Sequence, residues 1–195
     1  MKIGVLAAQG AFAEHITVLI RLEIDIVPVR LPRDLDGLDG LIIPGGESTS
    51  ISKLMRDYNL TGEIKKLAED GLPVFGTCAG MILLADDVPD SEVTPMGLMN
   101  IRVRRNAFGR QKESFETELT VPALGEKPYH AVFIRAPKIE QVDGGVEVLA
   151  KLSDKTVVAV RQGKLLATAF HPELTDDSRF HRYFLDIVAG KSPAT

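Results

Sequence analysis

The sequence predicts an α/β fold: an open, mostly parallel sheet flanked by helices, with an antiparallel β extension in its second half. In the first half, short apolar runs alternate with stretches whose apolar residues recur at helical spacing. That alternation builds parallel strands joined by crossover helices. After about Met96 the helical stretches give way to β-rich runs with short turns. No internal repeat or linker-like segment divides the chain, so residues 1–195 are expected to form one domain.

The elements follow in order. KIGVLAA (Lys2–Ala8) is a continuous apolar run, as in a parallel strand covered on both faces. Its lysine, apolar stretch and Ala11-Phe12-Ala13 triplet also outline a signal peptide, but Gln9 and Gly10 interrupt the run, and a buried first strand is the better reading. FAEHITVLIRL places Phe12, Ile16, Leu19 and Ile20 on one helical face. IDIVPVR and GLIIPGG read as strands. STSISKLMRDY is a helix that Ser48 or Thr49 would cap, and TGEIKKLAEDG is a helix stopped at Gly71. LPVFGTC is a strand and AGMILLA starts a helix. NIRVRR, SFETELTV, YHAVFIRA, VEVLAKL and TVVAVRQGKLLATAF are β-rich, the last with a hairpin turn at Gln162-Gly163. DDSRFHRYFLDIVAG closes the chain as an amphipathic helix, with Phe180, Phe184, Ile187 and Val188 on one stripe.

Bulk composition narrows the function. The net charge of −4 lacks the basic footprint of a nucleic-acid binder. No apolar run reaches the roughly 18–20 residues that span a bilayer. The single cysteine cannot form an internal disulfide, which suits a reducing compartment, and a cytoplasmic location is expected. No metal-ligand cluster of recognisable spacing is present, and no cofactor is expected.

That single cysteine, Cys78, lies in Gly76-Thr77-Cys78-Ala79-Gly80, between a strand and a helix. This is the context of a nucleophile elbow carrying Cys in place of Ser. A sharp strand-to-helix turn strains the nucleophile's backbone and crowds positions two residues to either side, which explains both glycines. The turn would lift the sulfur off the sheet at a helix N-terminus and aim the Ala79 N–H at an oxyanion. A small core cysteine is the competing reading of this short motif.

A thiol nucleophile needs a base, and the base needs a partner that holds it. His15, His130 and His181 fit surface or core roles. His171 ends an apolar strand in ATAFHPELT. Pro172 restricts His171 to extended conformations, which would set His171 and Glu173 side by side. One imidazole nitrogen could then face the carboxylate and the other the thiol. A second glycine pair, Gly45-Gly46 in LIIPGGESTS, also ends a strand, where open α/β sheets bind ligands. The Gly46 N–H is expected to complete the oxyanion hole with Ala79. The loop is no phosphate-binding P-loop, because no G-K-[ST] follows.

With these residues in view, the sequence resembles the class I (triad) glutamine amidotransferases, in particular the glutaminase subunits of pyridoxal 5′-phosphate synthases. The resemblance rests on LAAQGAFAEH, PGGESTS, FGTCAGM, RRNAFGRQ, VFIRAP and FHPELT, in order over almost the whole chain. It implies a flavodoxin-like fold. It implies that Cys78 attacks the side-chain amide of L-glutamine, with His171 as proton shuttle and Glu173 as its orienter, through a glutamyl thioester that water hydrolyses. It carries substrate-binding roles to Gly46, Glu47, Ser48, Arg105, Ile134 and Arg135. It implies that Gln9 and Gly10 help form a subunit contact and the oxyanion loop, where a mere turn is an equally good reading of the residues themselves. The implied partner is a (β/α)₈-barrel synthase subunit that receives the ammonia.

The chemistry of the residue types agrees. An arginine can fork to the α-carboxylate of glutamine, and Glu47 offers charge or backbone to its α-ammonium. Residue type alone does not separate Arg105 from Arg102, Arg104 and Arg110. Two other readings stay open, a stand-alone γ-glutamyl cysteine hydrolase and a non-catalytic binding subunit. A disulfide-based redox sensor would need a second cysteine, which the chain lacks.

Overall fold

The computed structural model describes residues 1–89, 91–105 and 114–191. Its first half alternates as expected: β1 (Lys2–Leu6), α1 (Phe12–Arg21), β2 (Asp25–Val29), β3 (Gly40–Ile43), α2 (Ser48–Asp57), α3 (Leu60–Glu69), β4 (Val74–Thr77) and α4 (Ala79–Leu84). The second half supplies β5 (Ala85–Asp87), β6 (Met99–Arg104), β7 (Ser114–Leu119), β8 (Tyr129–Ile134), β9 (Lys138–Val142), β10 (Glu147–Lys151), β11 (Val157–Gln162), β12 (Leu165–Thr168) and α5 (Arg179–Val188). β5 and β9 carry too little apolar signal to be read from sequence.

One ten-stranded sheet runs β2-β1-β3-β4-β12-β11-β9-β6-β5, with β10 on the outer side of β11. Its first five strands are mutually parallel. Their order is the 2-1-3-4-5 of a flavodoxin-like sheet, with β12 as the fifth parallel strand. From β12 onward the neighbours β11, β9 and β6 pair antiparallel, and β7 and β8 form a separate antiparallel pair. The predicted fold class therefore holds, including the extension.

The apolar runs of β1, β3 and β4 are buried, as in parallel strands covered on both faces. β1 lies between β2 and β3 as an inner strand, in keeping with the strand reading of Lys2–Leu6. The stripe of α1 differs from the expected one. His15, Val18 and Leu19 face the core, whereas Ile20 is 62% exposed. On α5, Phe180, Phe184 and Ile187 are buried as expected, with His181 beside them. The cap of α2 also differs: Glu47, not Ser48 or Thr49, is the N-cap, and its carboxylate accepts from the N–H groups of Thr49 and Ser50. Gly71 ends α3 with φ of +100°. Among the described residues, no helix is long and apolar enough to cross a membrane.

Candidate active site

The C-terminal ends of β3, β4 and β12 lie side by side, and each delivers one part of the site. After β4 the chain turns sharply into α4 through Cys78, whose φ of 49° and ψ of −101° lie outside the regions that L-residues favour. Two contacts hold that strain. The Cys78 N–H donates to Thr168 of β12 (2.8 Å), and its carbonyl accepts from Ile82 (3.3 Å). The flanking glycines are required sterically. A Cβ on Gly76 would lie 2.6 Å from the carbonyl of Gly80, and one on Gly80 would run into the Ile43 carbonyl. The elbow inferred from G-x-C-x-G is thus present.

His171 follows β12, and its N–H is tied to the Val132 carbonyl of β8 (2.9 Å). Its Nδ1 lies 2.7 Å from Glu173 Oε1. The two side chains meet as expected, but the backbone route differs. Pro172–Leu174 is one turn of 3₁₀ helix rather than an extended run, and the turn closes the distance. Both side chains are almost fully enclosed. Burial pushes the His171 imidazole down, but its hydrogen bonds to Cys78 and Glu173 prevail and raise it to about 10. Burial pushes Glu173 up, but His15 and the hydrogen bond to His171 hold it below the ordinary carboxylate range. The arrangement is a buried acid, an imidazole that favours its protonated form, and a thiol within its reach.

The glycine loop after β3 closes over this group. A Cβ on Gly45 would strike His171 Cε1 and come within 3.2 Å of Cys78 Cβ, so only glycine fits there. Gln9 and Gly10 brace the loop from behind: Gln9 Oε1 accepts from the Glu47 N–H (3.1 Å), and the Ala11 N–H donates to Gly45 (3.0 Å). Gly46 therefore sits beside Gln9 and Gly10, and Ala79 opens α4 next to Cys78.

Among the remaining sequence candidates, Glu47, Ser48 and Arg105 lie at the same loop. Ser48 is buried at the first position of α2. The Glu47 carboxylate accepts from the Ser50 hydroxyl (2.7 Å) as well as the two cap N–H groups. Burial opposes ionisation, but these bonds outweigh it and hold the carboxyl at about 2. Arg105 reaches Glu47 Oε1 through Nη2 (3.1 Å) and Ser91 Oγ through Nη1 (3.3 Å). Its neighbours point elsewhere, Arg102 to Asp87 (3.2 Å) and Arg104 to Glu140 (2.7 Å). The structure thus separates Arg105 from Arg102 and Arg104; Arg110 and the rest of RRNAFGRQ beyond Arg105 lie outside the described residues. Ile134 ends β8, and Arg135 follows with φ of 42°, an uncommon conformation for a side chain of its size. Among the described residues no group of three His, Cys, Asp or Glu side chains could hold a metal ion.

Sequence reasoning passed over one group. His15 and His181, 166 residues apart, meet behind Glu173 together with Thr77. Only the helical phase of His15, on the stripe of Val18 and Leu19, signals its burial.

The model of the SNO glutamine amidotransferase family matches residues 5–189. The chain belongs to that family. The SNO family assignment makes it a glutamine amidotransferase, an enzyme that hydrolyses glutamine for its ammonia. It is 60% identical over 188 residues to the pyridoxal 5′-phosphate synthase subunit PdxT of Moorella thermoacetica, covering 96% of this chain and all of that one. A protein of the same name from Pelotomaculum thermopropionicum is 59% identical over 95% of this chain and 94% of its own length. A crystal structure of a glutamine amidotransferase superposes with a TM-score of 0.91 at 52% identity, covering 96% of this chain and 98% of that chain.

Proposed function

We propose that the chain acts as one glutaminase domain, and that Cys78, His171 and Glu173 are its catalytic triad. His171 takes the thiol proton, and Cys78 sulfur attacks the side-chain amide carbon of L-glutamine. The N–H groups of Gly46 and Ala79 receive the developing oxyanion. The tetrahedral intermediate collapses as His171 returns the proton to the leaving nitrogen, and ammonia departs. Water, deprotonated by His171, then hydrolyses the glutamyl thioester to glutamate and frees the thiol. Arg105 and Arg135 serve the α-carboxylate. Ser48, Ile134 and the backbone of Gly46 and Glu47 line the rest of the substrate, since the Glu47 carboxylate is committed to its cap and to Arg105.

The observation that carries this reading is the position of His171, bonded to Glu173 at 2.7 Å and raised to about 10 partly by Cys78. That is the posture of an imidazole that has a carboxylate behind it and a thiol in front.

Ammonia set free in neutral water becomes ammonium, which is not nucleophilic, so a glutaminase that serves synthesis must deliver it to a docked acceptor. We propose that this acceptor is the (β/α)₈-barrel subunit of a pyridoxal 5′-phosphate synthase. The names of the similar proteins support it. Gln9 and Gly10 are the candidate contacts of that subunit, a reading supported by their bracing of the glycine loop. The reaction belongs in the cytoplasm, where a single reduced thiol persists.

The test is glutamate release from L-glutamine, with and without the barrel subunit, by the native chain and by Cys78→Ala. Release that rises with the partner and vanishes in Cys78→Ala is expected. Equal release by native chain and variant would remove the triad. Full activity unchanged by the partner would instead favour a stand-alone hydrolase.

A further inference from the structure

The triad reading leaves two buried atoms unexplained. Glu173 Oε1 accepts from His171, but Oε2 is fully enclosed with no hydrogen-bond partner among the described residues. A side-chain donor candidate is His15 Nε2 at 3.4 Å. A buried carboxylate oxygen with no donor is costly. The second orphan is Nδ1 of His181, on the far side of the same cluster.

The hydrogen-bond chain decides where the protons lie. His15 Nε2 faces Glu173 Oε2 and the Thr77 hydroxyl (3.1 Å), and His15 Nδ1 faces His181 Nε2 (2.9 Å). An ionised carboxylate only accepts, and a threonine hydroxyl either donates or accepts. A lone pair on His15 Nε2 would repel Oε2, so His15 carries its proton on Nε2. Its Nδ1 must then accept, which makes His181 Nε2 the donor. His181 is left with a bare lone pair on Nδ1, the very atom found without a partner. The opposite pair of tautomers would strand an N–H in that dry position and face a lone pair with a carboxylate. Burial favours the neutral form of both imidazoles and holds both below their ordinary pKa.

We propose that His15 is a positioning residue of the triad. Its Nε2–H is directed at Glu173 Oε2 and fixes the carboxylate for His171, while His181 and Thr77 hold the His15 ring in place through its two nitrogens. The inference rests on the triad reading of Cys78, His171 and Glu173. Its logic is that of second-layer partners that orient a catalytic imidazole, here one residue further back. The 3.4 Å separation needs to close by only a few tenths of an ångström to reach hydrogen-bond distance. The groups facing Glu173 are His171 from its own segment, His15 from α1 and Tyr129 from β8. His15 also feels Glu14 of its own helix.

The first test needs no variant. Long-range ¹H–¹⁵N correlation spectra of the native full-length chain read which imidazole nitrogen is protonated. Nε2–H on both His15 and His181 is expected, and Nδ1–H on His15 would overturn the proposal. The second test compares His15→Phe, which fills the space without a donor, with His15→Gln, which returns an N–H near the Nε2 position. Glutamine turnover is measured under conditions where the native chain is active, and the Glu173 carboxyl is titrated by its ¹³C shift. In His15→Phe, kcat is expected to fall on the order of tenfold with KM unchanged, and the Glu173 titration to move up by about one pH unit. His15→Gln is expected to recover most of both. Native behaviour in His15→Phe, or equal damage in both variants, would reduce His15 to packing. Cys78→Ala assayed alongside keeps the two readings apart: activity surviving in that variant sinks the triad itself.

Discussion

At the scale of single residues, the site depends on places where a side chain is forbidden. Gly45 is the clearest case. Its missing Cβ is the space that His171 Cε1 occupies, with Cys78 Cβ on the other side. Gly45→Ala therefore acts on the imidazole first, because a side-chain ring shifts more easily than the backbone of a strand end. A shift of about 1 Å at a reacting centre is worth on the order of 100-fold in rate. We expect kcat/KM to fall by about that factor, with the melting temperature lowered only modestly. Steady-state kinetics and a thermal melt of one preparation check it, and a variant with native kcat/KM would show that the imidazole tolerates the methyl group. The elbow glycines differ in consequence. A Cβ on Gly80 meets the Ile43 carbonyl, a backbone atom of β3 that cannot step aside, so that position belongs to the fold as well as to the chemistry.

At the scale of elements, the start of α2 joins stability to the substrate loop. Glu47 caps the helix with both carboxylate oxygens and holds Arg105 against the glycine loop. Glu47→Gln keeps the shape, leaves one acceptor oxygen where two cap bonds need two, and removes the ion pair. The side chain is 48% exposed, so solvent screens most of the pair, and the loss is about 1 kcal/mol, chiefly from the cap. The capped carboxyl sits at about 2, below its ordinary value of 4.5, so its stabilisation is complete above pH 4.5 and lost as pH falls through about 2. The difference in melting temperature between native chain and variant should close over that window, and a constant gap would place the cap elsewhere. This cap also shows where sequence reading stops. Ser48 and Thr49 looked like caps because hydroxyls often are, but the residue before them offers two oxygens to two N–H groups. G-x-C-x-G and H-P-E were legible because strain and side-chain reach are set within five residues. The Glu47–Arg105 and His15–His181 contacts were not, since they join residues 58 and 166 positions apart that only the sheet brings together.

At the scale of the whole molecule, folding shifts four histidines in two opposite directions, three of them buried and His130 exposed, and the balance sets a pH of maximum stability. His15 and His181 are buried neutral with lowered pKa, chiefly by desolvation. The unfolded chain takes up protons on both as pH falls through about 6.5, whereas the folded chain resists. Their stabilisation is therefore present above pH 6.5 and lost below it. His171, raised to about 10, and His130, raised by Glu118 and Glu116, have the opposite sign. Their stabilisation is complete below pH 6.5 and lost as pH rises through their folded values. Asp34, Glu47, Asp154, Glu173 and Asp177, all held low, are silent near neutrality and add losses only below about 3.8–4.5. The melting temperature should accordingly peak near pH 6.5 and begin to fall on the acid side before any carboxylate titrates. Each buried neutral imidazole contributes a slope of at most about 1.4 kcal/mol per pH unit there. His181→Phe removes one of the two. The ring would sit against Phe75 and His15, the rings that already flank His181, and its own orphaned nitrogen would be gone. Melting curves of both proteins from pH 7 to 5 should show the native slope roughly halved in the variant. A native melting temperature that stays flat over that range would mean that the buried imidazoles take up protons without unfolding.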